Sequence, residues 1–163
     1  MGENNKGNTE VHNEVNREVS NEKSKEVIKG VSAIIYDDNG QFYFLILHRI
    51  SSWKGWEFAK GKIEDGESEE DAIRREISEE TGLNQFKIVK KMDFTRSFIH
   101  KNIPHEFSIF MVEANMNVPI HLNCKEKEHD NYLWATGKSV AGKLHWEDER
   151  KAFEIALEEL KNK

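Results

Sequence analysis

Bulky apolar residues in this chain fall in short runs broken by polar punctuation, and the period of each run predicts its element. Residues 27–36 are rich in Val, Ile and Tyr and stop at Asp37-Asp38-Asn39-Gly40, a turn signal, so they predict a strand. Residues 41–48 repeat the pattern with Phe, Leu and Ile, and the two runs read as a hairpin. Residues 50–55 read as a loop, and Trp56-Glu57-Phe58 is a short apolar-edged piece leading into glycine. The period then lengthens. Ala72, Ile73 and Ile77 form one stripe of a helix predicted over 68–81, with Ser68 and Asp71 resembling a capping box and Gly82 a C-terminal cap. Further strands are expected at 86–93, 106–113 and 132–134. An amphipathic helix over 147–160 would bury Phe153, Ile155, Ala156 and Leu160.

Strands interleaved with helices predict one α/β domain over residues 25–163, which suits a chain of 163 residues. Residues 1–24 are Asn-, Glu- and Lys-rich and too poor in apolar groups to offset their ordering entropy, so a disordered tail is expected there. The four-residue spacing of Val11, Val15 and Val19 leaves a weak amphipathic helix as the alternative. Met1-Gly2 invites a myristoylation reading, but Lys6 stands where Ser or Thr is required.

The net charge of −6 argues against a non-specific grip on long nucleic acid, while leaving room for a small polyphosphate held by local cations or metal ions. A single cysteine, Cys124, excludes an internal disulfide and points to a reducing, cytoplasmic setting. No apolar run approaches the ~20 residues needed to span a bilayer.

Candidate chemistry concentrates in residues 61–83, GKIEDGESEEDAIRREISEETGL. Glu76, Glu79 and Glu80 stand at i, i+3 and i+4, so their carboxylates share a helix face. At ~6 Å and an effective dielectric near ~20, each like-charged pair costs roughly 3 kcal/mol, less where solvent screens it. A hard divalent cation such as Mg²⁺ or Mn²⁺ reverses that sign and can share its oxygen ligands with phosphates. The bland alternative for three glutamates alone is a solvated acidic face.

The whole stretch resembles the signature of the Nudix hydrolases, G-x5-E-x7-R-E-U-x-E-E-x-G-U with U a bulky aliphatic. Gly61, Glu67, Arg75, Glu76, Ile77, Glu79, Glu80, Gly82 and Leu83 fill every fixed position. A chance match is on the order of one in a million at ordinary residue frequencies. The resemblance implies an α/β/α sandwich around a mixed sheet and divalent-metal-dependent attack of an activated water on phosphorus. It implies that Glu76, Glu79 and Glu80 bind metal, one of them serving as base, with a backbone carbonyl near Gly61 completing the shell. Arg75 would pair with Glu67 and hold helix to loop, a task suited to the guanidinium fork.

The flanks narrow the resemblance. Trp56-Glu57-Phe58-Ala59-Lys60-Gly61-Lys62 is similar to the W-x-F-P-K-G lead-in of diadenosine tetraphosphate hydrolases and mRNA-decapping Nudix enzymes, with Ala59 replacing proline. Glu128-His129-Asp130-Asn131-Tyr132-Leu133-Trp134 is similar to the E-H-x-x-Y-x-W stretch of the asymmetric diadenosine tetraphosphate hydrolases. On that basis Glu128 adds a carboxylate near the metals. Tyr132 is a substrate contact or core packing, and Trp134 is core. Lys60 is a phosphate contact or a solvated loop lysine. Phe98 replaces the tyrosine that stacks on a base, or is an ordinary strand residue. His48, Arg49, Lys62, His100 and Lys101 are further candidates for phosphate or ribose.

The implied reaction is cleavage of diadenosine tetraphosphate to ATP and AMP by a monomeric enzyme. Hydrolysis of capped or triphosphorylated RNA ends is the alternative, although Lys87, Lys90, Lys91 and Arg96 form the only modest basic cluster. Nucleotide-pool cleaning and a non-catalytic binding module are further alternatives. Gly137-Lys138-Ser139 echoes a P-loop ending but has Tyr132 where a glycine is needed and no strand-loop-helix context. The seven histidines show no cysteine-backed zinc spacing.

Overall fold

The computed structural model describes residues 26–162. The expectations for residues 1–24 lie outside that range. Strands β1 (Ile28–Asp38) and β2 (Phe42–Arg49) begin as the expected antiparallel hairpin, paired from Asp38↔Phe42 to Ile35↔Leu45. Beyond that point they part. Strand β3 (Gly55–Glu57) takes the vacated edge of β2 through Leu47↔Glu57. Strand β4 (Ala59–Lys62) takes the vacated edge of β1 through Ala33↔Ala59. Phe58 therefore sits at the vertex of a fork, and its buried ring packs among Ile34, Phe44 and Phe153 in the core.

Helix α1 (Glu69–Thr81) follows the fork. Ser68 caps it by accepting the Asp71 N–H at 3.1 Å, and Gly82 ends it in the left-handed region at φ 73°. Strands β5 (Lys87–His100) and β6 (Ile103–Glu113) form a long antiparallel pair, and β6 also runs parallel to the far edge of β1. Strand β7 (His129–Thr136) pairs antiparallel with β2, completing a mixed sheet of seven strands. Helices α2 (Gly137–Lys143) and α3 (Glu147–Lys161) close the domain.

Alternation along the strands builds two cores. Val31, Ala33 and Ile35 of β1 face α1 with Ile73, Ile77 and Leu83, while Ile34 and Tyr36 face α3 with Phe153, Ala156 and Leu160. The result is the expected α/β/α sandwich. Among the described residues no helix is long and apolar enough to cross a membrane.

Three expectations need correction, and one further element was not expected. The strand expected over 86–93 continues to His100, because Lys101 and Asn102, at φ 50° and 61°, make a tight turn without the glycine that usually signals one. The strand expected over 132–134 begins at His129. Residues 137–143 form a short helix held by Val140 alone among its buried residues; it follows β7 with no intervening loop, so Gly137-Lys138-Ser139 still lacks a phosphate-cradling loop. Tyr132 is not core: opposite Leu47 at the end of the sheet it is 40% exposed.

Candidate active site

The fork brings α1 against β4 at very short range. A Cβ on Gly61 would overlap the Glu76 carboxylate, so hydrogen is the only side chain that fits. One residue earlier, the Lys60 N–H donates to Glu80 Oε2 at 2.9 Å. Glu76 and Glu80 are thus drawn inward onto β4, while Glu79 stays half exposed, 3.4 Å from Arg75 Nη1. Burial raises both inward carboxyls above the usual range, Glu80 strongly; Arg75 partly offsets this at Glu76, and Lys60 does so at Glu80. Such groups gain from a cation.

Arg75 holds the preceding loop. It grips Glu67 with both arms of its fork at 2.8 Å, donates to the Lys62 carbonyl at 2.9 Å and reaches Glu76 Oε1 at 2.6 Å. Those hydrogen bonds hold the Glu67 carboxyl at about 2. Loop, strand and helix meet at one guanidinium.

On the other arm of the fork, Glu57 is fully buried. Its carboxylate accepts from Arg49 Nη1 at 3.1 Å, lies 2.9 Å from His129 Nε2, and has Lys60 Nζ at 3.0 Å. Burial pushes this carboxyl up, but the His129 hydrogen bond and the Lys60 and Arg49 charges outweigh that and hold it at about 2. Arg49 also reaches Glu128 Oε2 at 3.3 Å. The register between β2 and β7 slips between His48 and Arg49, which face Asn131 and His129. Asp130 is the extra residue of this bulge, and its carboxylate bonds His48 Nδ1 at 2.6 Å. The bulge turns His129 inward. Ligand atoms of Glu80, Glu128 and His129 lie within 4.8 Å of one another.

The donor set fits a hard divalent cation. Glu76, Glu79, Glu80 and Glu128 offer carboxylate oxygens, two of them from groups whose burial makes an uncompensated charge costly. The absence of a side chain at Gly61 is what lets the Glu76 carboxylate sit against β4.

Two aromatic platforms complete the region. Phe98 stacks on His105, with centroids 4.9 Å apart and rings at 14°, and Arg96 lies beneath at 5.4 Å. Trp53 stacks on His145 at 4.9 Å, Trp146 stands edge-on to both, and the Arg49 guanidinium lies 6.0 Å from the Trp53 ring.

Known proteins share this fold. The NUDIX domain family matches residues 27–154. The chain belongs to the Nudix family. An RNA pyrophosphohydrolase of Campylobacter jejuni is 28% identical over 121 residues, covering 68% of this chain and 78% of that protein. A solved Ap4A hydrolase of C. elegans, in a binary complex, superposes with a TM-score of 0.73 at 20% identity, covering 83% of this chain and 99% of that one. A MutT protein from Methanosarcina mazei does so at 0.66 and 25% identity, covering 85% and 98%.

Within the Nudix frame, most residues singled out by sequence converge. Glu67, Arg75, Glu76, Glu80, Gly61, Lys60, Arg49 and Glu128 fall into one connected network. Lys60 is not a solvated loop lysine: its ammonium is paired with Glu57. Lys62 is exposed and enters the network through its carbonyl. His48 is paired with Asp130 beside Trp56, and Phe98 of β5 stacks on His105 of β6. Glu57, His129, Glu149, Trp53 and Trp146 received no role from sequence. Glu57 and His129 sit inside the two flanking stretches that carry the Nudix resemblance, the one available signal for them.

Proposed function

We propose that this Nudix hydrolase splits a dinucleoside polyphosphate, with diadenosine tetraphosphate going to ATP and AMP as the leading reaction. The observation carrying this reading is the presence of two separate aromatic platforms, Phe98–His105 and Trp53–His145–Trp146, the second tied to the carboxylate network through Arg49. A substrate with a base at each end uses both. The assigned metal ligands are Glu76, Glu79, Glu80 and Glu128, with Mg²⁺ or Mn²⁺ as the ion. When bound, the ion supplies charge neutralisation at the polyphosphate and lowers the cost of forming the attacking hydroxide. Arg75 and Glu67 brace the loop. Arg49, Lys60 and Lys62 are the cations available to phosphate oxygens, Lys60 by exchanging partners from Glu57. His48 and Tyr132 are further candidates for contact with the substrate. A single polypeptide chain in a cytoplasmic setting suffices for this chemistry.

A second reading is supported by the sequence relatives named RNA pyrophosphohydrolase. Under it, one platform takes the first base of a triphosphorylated RNA.

Ion-exchange analysis separates the two. The protein is incubated with Mg²⁺ and diadenosine tetraphosphate, with triphosphorylated and capped RNA in parallel. Equal ATP and AMP, abolished by chelator and slowed at low substrate in both Phe98→Ala and Trp146→Ala, is the expected result. Release of pyrophosphate or nucleotide from RNA with an inert dinucleotide overturns the leading reading in favour of the second.

A further inference from the structure

The fork creates a backbone problem. Glu57 pairs with β2 and Ala59 with β1, so Phe58 between them has no strand partner for its N–H, yet the residue is 1% exposed. A buried N–H left without an acceptor is costly. The acceptor comes from the first turn of α3, ninety-one residues along the chain: Glu149 Oε1 takes this proton at 3.0 Å. Glu149 is itself 1% exposed. Arg96 fixes it from β5, with Nη1 3.5 Å from the same oxygen and Nε 2.7 Å from Asp148 Oδ2. The segment from Phe58 to Lys60, where the fork leads into β4, is therefore gripped by a carboxyl at each end, Glu149 at the Phe58 N–H and Glu80 at the Lys60 N–H.

We propose that Glu149 is a positioning residue: by accepting the Phe58 N–H at the vertex of the fork, it sets the Lys60–Gly61 backbone against Glu80 and Glu76 and so shapes the metal site from the opposite side of the sheet. It supplies by hydrogen bonding the restraint that Ala59, unlike a proline, does not. The assignment rests on the metal roles of Glu76 and Glu80 and is independent of the choice of substrate.

The test uses the full chain and Mn²⁺ itself as probe. Mn²⁺ affinity is read by water-proton relaxation, and folding by circular dichroism. Glu149→Gln keeps an acceptor oxygen in place; its Mn²⁺ affinity stays within about twofold of wild type. Glu149→Leu fills the volume without an acceptor; while folded, it binds Mn²⁺ about 10-fold more weakly, the scale typical of a lost outer support. Hydrogen exchange in the wild-type chain needs no variant: the Phe58 and Lys60 amides are expected to be protected together, more so with Mg²⁺. Wild-type Mn²⁺ affinity in folded Glu149→Leu overturns the proposal. So does equal loss in both variants, which would assign the effect to charge, or a Phe58 amide that exchanges freely while Lys60 is protected.

Discussion

Replacing Gly61 by alanine tests the closest contact in the site. Gly61 does not need a left-handed conformation; its constraint is space, because the new methyl carbon would overlap Cδ and both oxygens of Glu76. Relief to ordinary van der Waals contact moves that carboxylate by roughly 1.5–2 Å. The helix holds the Glu76 backbone and Arg75 holds Oε1 at 2.6 Å, so the movement falls on the side-chain torsions and on that ion pair. Fold stability should change little, since the displaced group is one whose burial already raises its carboxyl and gains solvent as it retreats. Chemistry should change much more. A misplacement of ~1 Å costs about 100-fold in rate, or about 2.7 kcal/mol of barrier. The assay is threefold: thermal melting without metal, Mn²⁺ affinity, and initial rate of anhydride cleavage in saturating Mg²⁺. A near-wild-type melt with weaker Mn²⁺ binding and a rate about two orders of magnitude lower is expected. A Gly61→Ala protein with wild-type rate and affinity would refute the reading that Glu76 acts from this seat.

Other perturbations separate fold from site. Glu80→Gln should raise the metal-free melting temperature, because it removes a carboxyl whose raised titration makes its charge a burden at neutral pH, and should lose both turnover and any stabilisation by Mg²⁺ in calorimetry. An unchanged calorimetric response to Mg²⁺ would remove Glu80 from the ligand set. Glu57 has the opposite sign: its carboxyl titrates at about 2, below its unfolded value of 4.5, so its contribution is fully present above about 4.5 and is lost as pH falls towards 2. Denaturant titrations from pH 5 to 2 should show a shallower loss of stability in Glu57→Gln than in wild type. Ser68→Ala removes the cap of α1 and should cost about 1 kcal/mol in urea unfolding with unchanged turnover per folded molecule; a large rate loss would mean the cap also sets the carboxylates.

Local features were the legible ones. The cap at Ser68 and the end at Gly82 were legible from spacing, and the pairing of Arg75 with Glu67, implied by the Nudix resemblance, lies within the same helix and its loop. Individual strands and helices followed from runs whose period could be counted, and the α/β/α layering from the Nudix resemblance. The fork could not be read. It arises because β1 and β2 stop pairing after Ile35 and Leu45, and no residue there announces a parting. Everything built on it was hidden for the same reason: Trp56-Glu57-Phe58 read only as a short apolar-edged piece, and Glu149 received no reading. The β5–β6 turn was missed because Lys101-Asn102 carries positive φ without glycine. Tyr132 was misplaced because a bulge upstream and the end of the sheet, not the aromatic pattern, decide its exposure.

The parallel pairing of β1 with β6 also bears on how the chain is made. Lys29 meets Glu106 across 77 positions of sequence. A ribosome adding about 5–20 residues per second takes roughly 4–15 s to synthesise that interval. For that time the Val- and Ile-rich edge of β1 has no partner on one side, and sheet formation must wait for late-emerging chain. Slow, non-local closure of this kind exposes a sticky edge during synthesis. Chaperone dependence and expression temperature should therefore track the supply of β6 rather than any property of the catalytic helix.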